Sequence, residues 1–535
     1  MPIAWGQTNP VKVASTARLD LVSPTVILTN GQVVAGEGQI KRPDWLGAGT
    51  QQKSYSAEFP INHFGWREVA VRFVPTAGGE VECKLMGPWQ QTANGRLYKQ
   101  EVLWDRLEVT GAPVTNAGFE DGTAGWRGGS VITATAETPA VEGRHYGRAW
   151  HNQPLTRSIE VSAGVPVTLR LHARAMLPEG YPEMRRIMDR NTPAHVAARR
   201  FMRGANFGNY LEVPPRQTWS VKHTTNDLMR VRAEGFDHVR IPCGWHHYTG
   251  PGPEHQLREG IFDKVDVLVT NALTAGLSVL VNVHHFDAFT SDPAGQKEKF
   301  LAIWRQIAAH YADAPEGLAF ELLNEPRDKA TTAIMNPIYA QAIAEIRKSN
   351  PQRTIFVGPG KWNAIDELPQ LILPNDDANL IVTVHSYDPF YFTHQGANWT
   401  KPATDTRGIV FPGPPATPVQ PATTVSSNRQ VVNWIRDYNT LPPGQNPSSR
   451  KAFAGKLRAA KEWSEYYGRP IHVGEFGCFT SADAGSRARY YAEFRRALNE
   501  HGIGWAIWDW KAGFRYWDEA KGQPMPGMRE ALFGP

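Results

Sequence analysis

Hydrophobic and polar residues alternate along the first third of the chain. Apolar side chains take every second position in residues 68–73 and 165–171, and glycine-rich breaks at residues 77–79 and 125–129 separate such runs. A period of two residues is typical of strands with one buried face, and clustered glycines are typical of turns. The pattern predicts an all-β sandwich region over residues 1–178.

The pattern changes near residue 195. Short apolar runs now alternate with segments of 3.6-residue periodicity, as in βα units around a parallel sheet. Helices are predicted over residues 296–311, 338–348 and 487–499, the last with its N-cap at Ser486. The strand candidates are residues 201–206, 238–242, 278–283, 318–323, 354–358, 380–384, 470–474 and 504–508. These eight strands predict a (β/α)8 TIM barrel over residues 195–535, after a linker at residues 179–194.

Two questions about the N-terminal region stay open at this level. The sequence is compatible with one sandwich or with two small modules that meet near Gly111. Residues 116–122, followed by Trp126, resemble the opening of jelly-roll modules found in carbohydrate-binding domains. One hypothesis is therefore that this region binds polysaccharide through exposed aromatic residues, for which Trp45, Trp89 and Trp126 are the candidates. The alternative is a purely structural sandwich.

One predicted connection is unusually long. After Tyr387 about 60 residues rich in Pro, Gly and Thr precede the next predicted helix, at residues 451–467. Loops of this length usually have a function or lack fixed structure. Because this loop follows the sixth strand, it leaves from the C-terminal face of the barrel, where active sites of this fold lie. We expect it to form one wall of a substrate cleft rather than an inert excursion.

Composition limits the possible partners. The formal net charge of +5 comes with no basic run or basic aromatic stripe, so we expect no nucleic-acid partner. The three cysteines, Cys83, Cys243 and Cys478, do not have the spacing of metal ligands. An odd number cannot all pair within the chain, which excludes a disulfide framework. Cys83 is expected in the core. No stretch approaches the roughly 20 apolar residues that cross a bilayer, so we expect no membrane partner. The chain start has no signal-peptide pattern.

Two glutamates stand at predicted strand ends on the catalytic face. Glu325 ends the fourth strand in the sequence Leu-Asn-Glu-Pro, and Glu475 ends the seventh in Val-Gly-Glu-Phe-Gly. Both are expected to point toward the barrel axis, which places two carboxyl groups across one cleft. Paired carboxyl groups about 5–5.5 Å apart perform retaining glycoside hydrolysis, one as acid/base and the other as nucleophile. A salt bridge at the barrel mouth is the alternative for each glutamate alone.

Neighbouring residues favour the catalytic interpretation. Arg240 is placed to donate to the nucleophile and hold its pKa low, and Asn324 lies where a sugar 2-hydroxyl would pass. His385 and Tyr387 are two positions apart and so face the same side, with Tyr387 in reach of Glu475.

Further polar and aromatic residues end the third and eighth strands. His284 and His285 end the third strand, and Trp508 ends the eighth, where it offers a flat apolar face to a sugar ring.

These motifs, in register with all eight strands, make residues 200–535 resemble glycoside hydrolase family five, the cellulase family. The resemblance implies a retaining mechanism with Glu325 as acid/base and Glu475 as nucleophile, and no metal or other cofactor. It also implies six further active-site residues: Arg240, His284, Asn324, His385, Tyr387 and Trp508. His284 is preferred to His285 because it lies two residues after Asn282, as in the family pattern.

Substrate and location follow from the resemblance. It implies an endo-acting β-1,4-glucanase (cellulase) whose partner is a β-glucan polysaccharide or oligosaccharide. A mixed-linkage glucanase, xyloglucanase or mannanase, a transglycosylase and a non-catalytic carbohydrate-binding protein are the alternatives. Because polymeric glucans lie outside cells, we expect a secreted or periplasmic protein. Aromatic candidates for sugar subsites are Trp245, Trp362, Phe390, Tyr391, Phe392, Trp510 and Trp517, although packing is the commoner role for each.

Overall fold

The computed structural model describes residues 25–29, 31–36, 39–41, 54–59, 61, 63–75, 77–91, 97–176 and 184–534. The chain divides into two compact units, Met1–Glu183 and Met184–Pro535, called here the N-terminal unit and the barrel unit. Trp45 and residues 179–183 of the predicted linker lie outside the described residues.

The described part of the N-terminal unit is built from antiparallel strands. One sheet has the order β12-β6-β1-β4-β3 and another the order β10-β11-β9-β13-β5-β2, and β7 pairs with β8. The strands are β1 Thr25–Thr29, β2 Gly31–Gly36, β3 Gln39–Lys41, β4 Ser54–Glu58, β5 Arg67–Pro75, β6 Gly79–Met86, β7 Gln90–Gln91, β8 Leu97–Tyr98, β9 Val102–Thr110, β10 Ser130–Thr133, β11 His145–Ala149, β12 Leu155–Val161 and β13 Val167–Ala175.

One hydrophobic cluster in this unit takes residues from both large sheets. Cys83 of β6 and Leu169 of β13 are fully buried in it, so the predicted core position of Cys83 is confirmed. Strands on both sides of Gly111 pair with each other, as β6 with β12 and β5 with β13. Trp126 is 5% exposed and stacks on Phe119, so the prediction that it is an exposed aromatic residue is wrong.

The barrel unit contains the predicted closed barrel. Eight strands pair in parallel in the order of the sequence, and the last closes on the first. They are β14 Arg203–Asn206, β15 His238–Ile241, β16 Ser278–Asn282, β17 Leu318–Glu321, β18 Ile355–Val357, β19 Leu380–His385, β20 Ile471–Phe476 and β21 Gly504–Ile507. Each predicted strand overlaps one observed strand, which confirms the (β/α)8 fold. A small hairpin, β22 Trp517–Asp518 with β23 Gln523–Pro524, follows.

Helices surround these strands. They are α1 Pro193–Ala198, α2 Thr225–Glu234, α3 Glu259–Thr274, α4 Asp287–Ser291, α5 Pro293–His310, α6 Thr332–Arg347, α7 Gly360–Asn363, α8 Phe390–Thr393, α9 Arg429–Thr440, α10 Lys451–Tyr467, α11 Ala484–Glu500 and α12 Met528–Phe533. The N-cap of α11 is Asp483, whose side chain accepts from Ser486 N, so the prediction of Ser486 as the cap is wrong. An acidic side chain at this position also suits the positive end of the helix dipole.

The N-terminal end of the barrel is filled with apolar side chains. Ala194 and Ala197 of α1 and the adjacent Phe201 pack against Leu280, Ala319, Phe356 and Ile381 from four consecutive strands. Helix α1 begins with Thr192 as N-cap and Pro193 at its first position, a common helix start. The polar residues discussed below therefore lie toward the opposite, C-terminal end, where the strand-to-helix loops begin.

The long connection after β19 is ordered into short elements. It contains α8, α9 and the 3-10 turns Asn398–Thr400 and Thr423–Val425. Ile409, Phe411 and Tyr438 of this segment are buried in the barrel unit's main hydrophobic cluster. Within the residues that the structure describes, no helix has both the length and the apolar character needed to span a membrane.

Candidate active site

The two glutamates singled out from the sequence meet at the C-terminal end of the barrel. Glu475 lies in β20, and Glu325 lies four residues beyond the end of β17. One carboxylate oxygen of each and one ring nitrogen of His385 all lie within 4.8 Å of one another. Glu325 has a φ of +48°, so its backbone is in the left-handed region that most side chains avoid.

Arg240 is the centre of the buried polar network. Its guanidinium is fully buried and donates from Nη1 to Oε1 of Glu475 over 2.7 Å. Nε and Nη2 donate to the two carboxylate oxygens of Glu321, each over 2.6 Å. Nη2 also donates to Asn324 Oδ1 over 2.7 Å, and Nη1 to Asn206 Oδ1 over 2.8 Å. Every arm of the guanidinium is thus fixed by charge-assisted or amide hydrogen bonds.

One electrostatic expectation has to be corrected. Arg240 contacts Glu475 as predicted, but the pKa of Glu475 is raised above its usual value, because burial raises it more than His385 and Arg240 lower it. The same arginine also faces Glu321, so its single positive charge is shared between two carboxylates. The prediction that Arg240 holds the pKa of Glu475 low is therefore wrong in its net direction.

Glu325 has the electrostatics of a general acid. Burial raises its pKa to about 7, although Arg240 and Arg327 lower it in part. A carboxyl group with this pKa is largely protonated at mildly acidic pH and can both give and take a proton near neutrality. The two glutamates thus differ in environment: Glu475 holds a direct contact with a guanidinium, and Glu325 does not.

Two side chains from the end of β19 touch the glutamates. His385 Nδ1 lies 2.8 Å from Glu325 Oε1 and 3.7 Å from Glu475 Oε2. Burial lowers the pKa of His385 to about 4, so its ring is neutral near pH 7. Tyr387 donates from its hydroxyl to Glu475 Oε2 over 2.8 Å, and burial raises its pKa, so the hydroxyl keeps its hydrogen. The predicted contact of Tyr387 with Glu475 is present.

Asn324 has a free donor for a substrate. Its side chain is 1% exposed; Oδ1 accepts from Arg240, and Nδ2 has no hydrogen-bond partner in the described structure. Unpaired buried donors are rare, and one beside the two candidate catalytic carboxyl groups is suited to a substrate hydroxyl. The expected contact of this amide with a sugar 2-hydroxyl stays a prediction.

His284 and Trp508 form a stacked pair beside this network. Their rings are 5.6 Å apart and 7° from parallel. The pKa of His284 is lowered by burial, and Asn282 Nδ2 lies 3.1 Å from Nδ1, which leaves the hydrogen of the neutral ring on Nε2. A Cβ atom on Gly208 would lie 2.6 Å from Trp508 Cη2, so glycine is needed there for the indole to occupy its position. His285, the alternative to His284, is partly exposed and has a φ of +49°.

Several residues of the network were missed by the sequence analysis. Asn206, Asn282 and Glu321 are the last residues of β14, β16 and β17; their neighbours in the chain are apolar, and each is fully buried. A polar residue within a buried parallel strand is the signal that could have revealed them, because such strands otherwise consist of apolar residues. Glu212 is another: it is buried next to the site, burial raises its pKa to about 7, and it accepts from Tyr210 N over 2.9 Å.

The aromatic candidates fall into two groups. Trp245, Phe392, Trp510 and Trp517 are buried and belong to the hydrophobic core, so they do not line subsites. Trp362 is 54% exposed, Phe390 is 40% exposed and Tyr391 is partly exposed. Trp362 donates its backbone N–H to Pro326 O, directly after Glu325.

The long connection also brings an aromatic residue to the site. Trp399, 62% exposed, was missed by the sequence analysis; it contacts His394 and Phe514, both of which contact Tyr387.

Only one group of possible metal ligands occurs among the described residues, namely Glu325, His385 and Glu475. Their atoms already contact each other, Tyr387 and Arg240. An arginine bonded to one of three ligands opposes binding of a cation, so the donor set suits proton transfer better than metal coordination.

Comparison with known proteins identifies the family. Residues 202–513 match the model of the Cellulase family (glycosyl hydrolase family 5). This chain belongs to glycosyl hydrolase family 5. It is 29% identical to "Endoglucanase H" of Acetivibrio thermocellus over 306 residues, which is 57% of this chain and 29% of that protein. It is 27% identical to "Endoglucanase C" of the same organism over 58% of this chain and 91% of that protein.

Solved structures agree with this assignment. The crystal structure of endoglucanase Cel5A from Thermotoga maritima has 32% identity and a TM-score of 0.56, and covers 64% of this chain and 100% of its own. Structures of that protein are described in complex with cellobiose and with mannotriose. The match spans only 29% and 35% of the first two curated relatives. The family assignment applies to the barrel unit.

Proposed function

We propose that the barrel unit is a retaining endo-β-1,4-glucanase in which Glu325 is the acid/base and Glu475 the nucleophile. The main support is the close approach of the two carboxyl groups, with one oxygen of each within 4.8 Å. A separation of this size fits direct attack by one carboxylate, whereas inverting enzymes keep about 6.5–9.5 Å between the groups to admit a water molecule.

The first half of the proposed reaction forms a glycosyl-enzyme ester. Glu325, protonated below its pKa of about 7, donates its proton to the glycosidic oxygen as that bond breaks. Glu475 attacks the anomeric carbon through a carboxylate that Arg240 and Tyr387 orient. Asn324 Nδ2 donates to the sugar 2-hydroxyl, a contact that strengthens as positive charge develops on the ring.

The second half hydrolyses this ester. Glu325, now ionised, removes a proton from water, and the resulting hydroxide attacks the anomeric carbon while Glu475 leaves as carboxylate. Arg240 stabilises the released charge because its contact with Glu475 is already in place and needs no rearrangement.

Proposed subsites extend along the cleft from this centre. Trp508 stacks on the sugar next to the cleaved bond, and the exposed indoles of Trp362 and Trp399 contact further sugar units of the polysaccharide. The relatives named endoglucanases favour β-1,4-glucan. The mannotriose complex of T. maritima Cel5A makes glucomannan the second candidate substrate.

Reducing-sugar release from carboxymethylcellulose, mixed-linkage glucan, xyloglucan and glucomannan tests the proposal. Wild-type protein is compared with Glu475→Gln and with Glu316→Gln, a matched substitution at a glutamate with an 80% exposed side chain before β17. We expect wild-type protein and Glu316→Gln to release reducing sugar from carboxymethylcellulose and mixed-linkage glucan, and Glu475→Gln to release none. Unchanged activity of Glu475→Gln contradicts the proposal. Release of monomer alone contradicts endo action.

A second proposal concerns the N-terminal unit, which we propose binds the polysaccharide. Trp89 is 54% exposed and meets His151 edge-on at 4.7 Å. His151 lies in a tight turn closed by backbone hydrogen bonds between Trp150 and Gln153, and the neighbouring Asn152 and Gln153 are exposed. Retardation of the full chain in gels containing β-glucan should weaken in Trp89→Ala; equal retardation contradicts this role.

Action on a polymer outside the cell accords with the proposed secreted or periplasmic location.

A further inference from the structure

The turn that follows β18 has an unusual backbone. Lys361, Trp362 and Asn363 have φ values of +48°, +60° and +55°, so three consecutive residues other than glycine adopt the left-handed region. Asn tolerates this region better than most residues, but Lys and Trp do not. Such strain persists where surrounding structure holds it, and it concentrates at functional sites.

This backbone carries one polar side chain into the site. Asn363 is fully buried, and its Nδ2 lies 3.4 Å from Nε2 of His385. A Cβ atom on Gly358 would lie 2.5 Å from Nδ2, so the absence of a side chain there makes room for the amide. The next residue, Ala364, forms an isolated parallel bridge with His385. The turn is therefore built against the histidine that contacts both glutamates.

The contact determines which ring nitrogen of His385 carries hydrogen. A neutral imidazole has one N–H and one acceptor nitrogen. If the amide of Asn363 donates to Nε2, the hydrogen is on Nδ1, between Glu325 Oε1 at 2.8 Å and Glu475 Oε2 at 3.7 Å. The opposite tautomer would direct a lone pair at these two carboxyl groups. The negative charge of Glu475 therefore favours the same tautomer.

The tautomer in turn fixes the proton of Glu325. Oε1 accepts from His385 Nδ1–H, so the acidic hydrogen of protonated Glu325 is on Oε2. Within residues 184–534, Oε2 has no described hydrogen bond, which leaves it available to a substrate. We propose that Asn363 is a positioning residue that fixes the Nδ1–H tautomer of His385 and thereby places the transferable proton of Glu325 on Oε2. This inference rests on the proposed acid/base role of Glu325.

Two substitutions separate the amide from the backbone that carries it. Asn363→Gly removes the amide, and glycine adopts a positive φ without strain, so the turn is retained. Asn363→Asp keeps the shape of the side chain but replaces the donor with an acceptor, which attracts a hydrogen to Nε2. The aspartate should therefore reverse the tautomer, whereas the glycine only weakens the preference.

Leaving-group dependence distinguishes this role from a structural one. Proton donation is needed to expel an alcohol or a phenol of high pKa, but 2,4-dinitrophenolate leaves without it. We expect Asn363→Asp to lower kcat/KM for phenyl β-cellobioside by about tenfold or more and that for 2,4-dinitrophenyl β-cellobioside much less. Asn363→Gly should show the same selectivity with a smaller loss. Equal losses on both substrates, or no loss in the aspartate variant, contradict the proposal.

The ¹⁵N chemical shifts of the His385 ring provide a direct second readout. The resonances are assigned by their absence in His385→Gln. Wild-type protein at pH 7 should show hydrogen on Nδ1, and Asn363→Asp should show it on Nε2; hydrogen on Nε2 in the wild type overturns the inference. Glu325→Gln is assayed on phenyl β-cellobioside and Glu475→Gln on both cellobiosides, and wild-type rates in these assays defeat the proposed function independently of the result at Asn363.

Discussion

Arg240 donates to Glu475 over 2.7 Å while the same guanidinium makes two 2.6 Å hydrogen bonds to Glu321. The carboxylate of Glu321 affects both the position of the guanidinium and the pKa of the proposed nucleophile, Glu475. It holds the planar guanidinium in one orientation, which fixes the position of Nη1. Burial raises the pKa of Glu475 above its usual value. A second negative charge on the same guanidinium acts in the same direction as burial.

Glu321→Gln should therefore shift the pH profile of the enzyme. With the second carboxylate removed, the full charge of Arg240 acts on Glu475 and lowers its pKa. The acidic limb of kcat/KM, which reports ionisation of the nucleophile in the free enzyme, should move to lower pH by about one unit. The melting temperature should also fall, because a buried ion pair is broken. An acidic limb that does not move would show that Glu321 has no electrostatic effect on Glu475.

Glu325→Ala should respond to added azide. Without the acid/base, activity on cellulose should fall by a factor of about 10²–10⁴. With 2,4-dinitrophenyl β-cellobioside the glycosyl-enzyme still forms, and azide can attack it without help from a general base. Azide should accelerate this variant and give β-cellobiosyl azide, identified by NMR. Azide should not accelerate wild type or Glu316→Gln, and α-cellobiosyl azide as the product contradicts retention.

Glu325→Gln should also alter the pH dependence of stability. The pKa of Glu325 is raised from 4.5 to about 7 in the folded state, so the ionised form is disfavoured there. In wild type, protonated Glu325 makes its full contribution to the free energy of unfolding below about pH 4.5. This contribution is lost as the pH rises through about 7. Glutamine is neutral throughout, so the variant should gain on the order of 1–3 kcal/mol over wild type between pH 4.5 and pH 8.

Melting temperatures of the barrel unit at pH 4.5 and pH 8, followed by tryptophan fluorescence, measure this effect. Glu316→Gln is the control and should show no comparable change between the two pH values. A difference between Glu325→Gln and wild type that is the same at both pH values would show that the pKa of Glu325 is not raised in the folded state.

Gly208→Ala tests the proposed role of Trp508 without removing any functional group. The added methyl would lie 2.6 Å from Trp508 Cη2, so the indole must move. Displacement of the stacking surface should lower kcat/KM on cello-oligosaccharides between about tenfold and a hundredfold. Gly260→Ala is the control, since a Cβ there meets no atom within 4 Å. Equal kcat/KM values for the two variants would show that Trp508 does not contribute to substrate binding.

The sequence predicted the barrel because its periodic signal is repeated eight times. Strands of a parallel barrel are short apolar runs at regular intervals, and residues at their C-terminal ends share one face whatever the loops do. That is why the sequence alone places Arg240, Asn324, His385 and Tyr387 next to Glu325 and Glu475.

The sequence does not show how deeply each side chain is buried. Trp245, Trp362 and Trp510 all follow predicted strands, yet Trp245 and Trp510 are core residues and Trp362 is exposed, because the conformation of each loop decides the burial. Asn282 and Glu321 end strands that are otherwise apolar, and the sequence analysis predicts no site role for either. The pKa of Glu475 is higher than predicted for the same reason: the sequence does not show that this carboxyl group is buried, and burial raises its pKa.

Trapping of the covalent intermediate tests the central claim most directly. Wild-type protein is incubated with 2,4-dinitrophenyl 2-deoxy-2-fluoro-β-cellobioside, which slows hydrolysis of the intermediate, and the labelled peptide is sequenced by mass spectrometry. The account predicts one fluorocellobiosyl group per chain, attached to Glu475, and no label in Glu475→Gln. A label on another residue, or turnover with inversion and no covalent adduct, would contradict it.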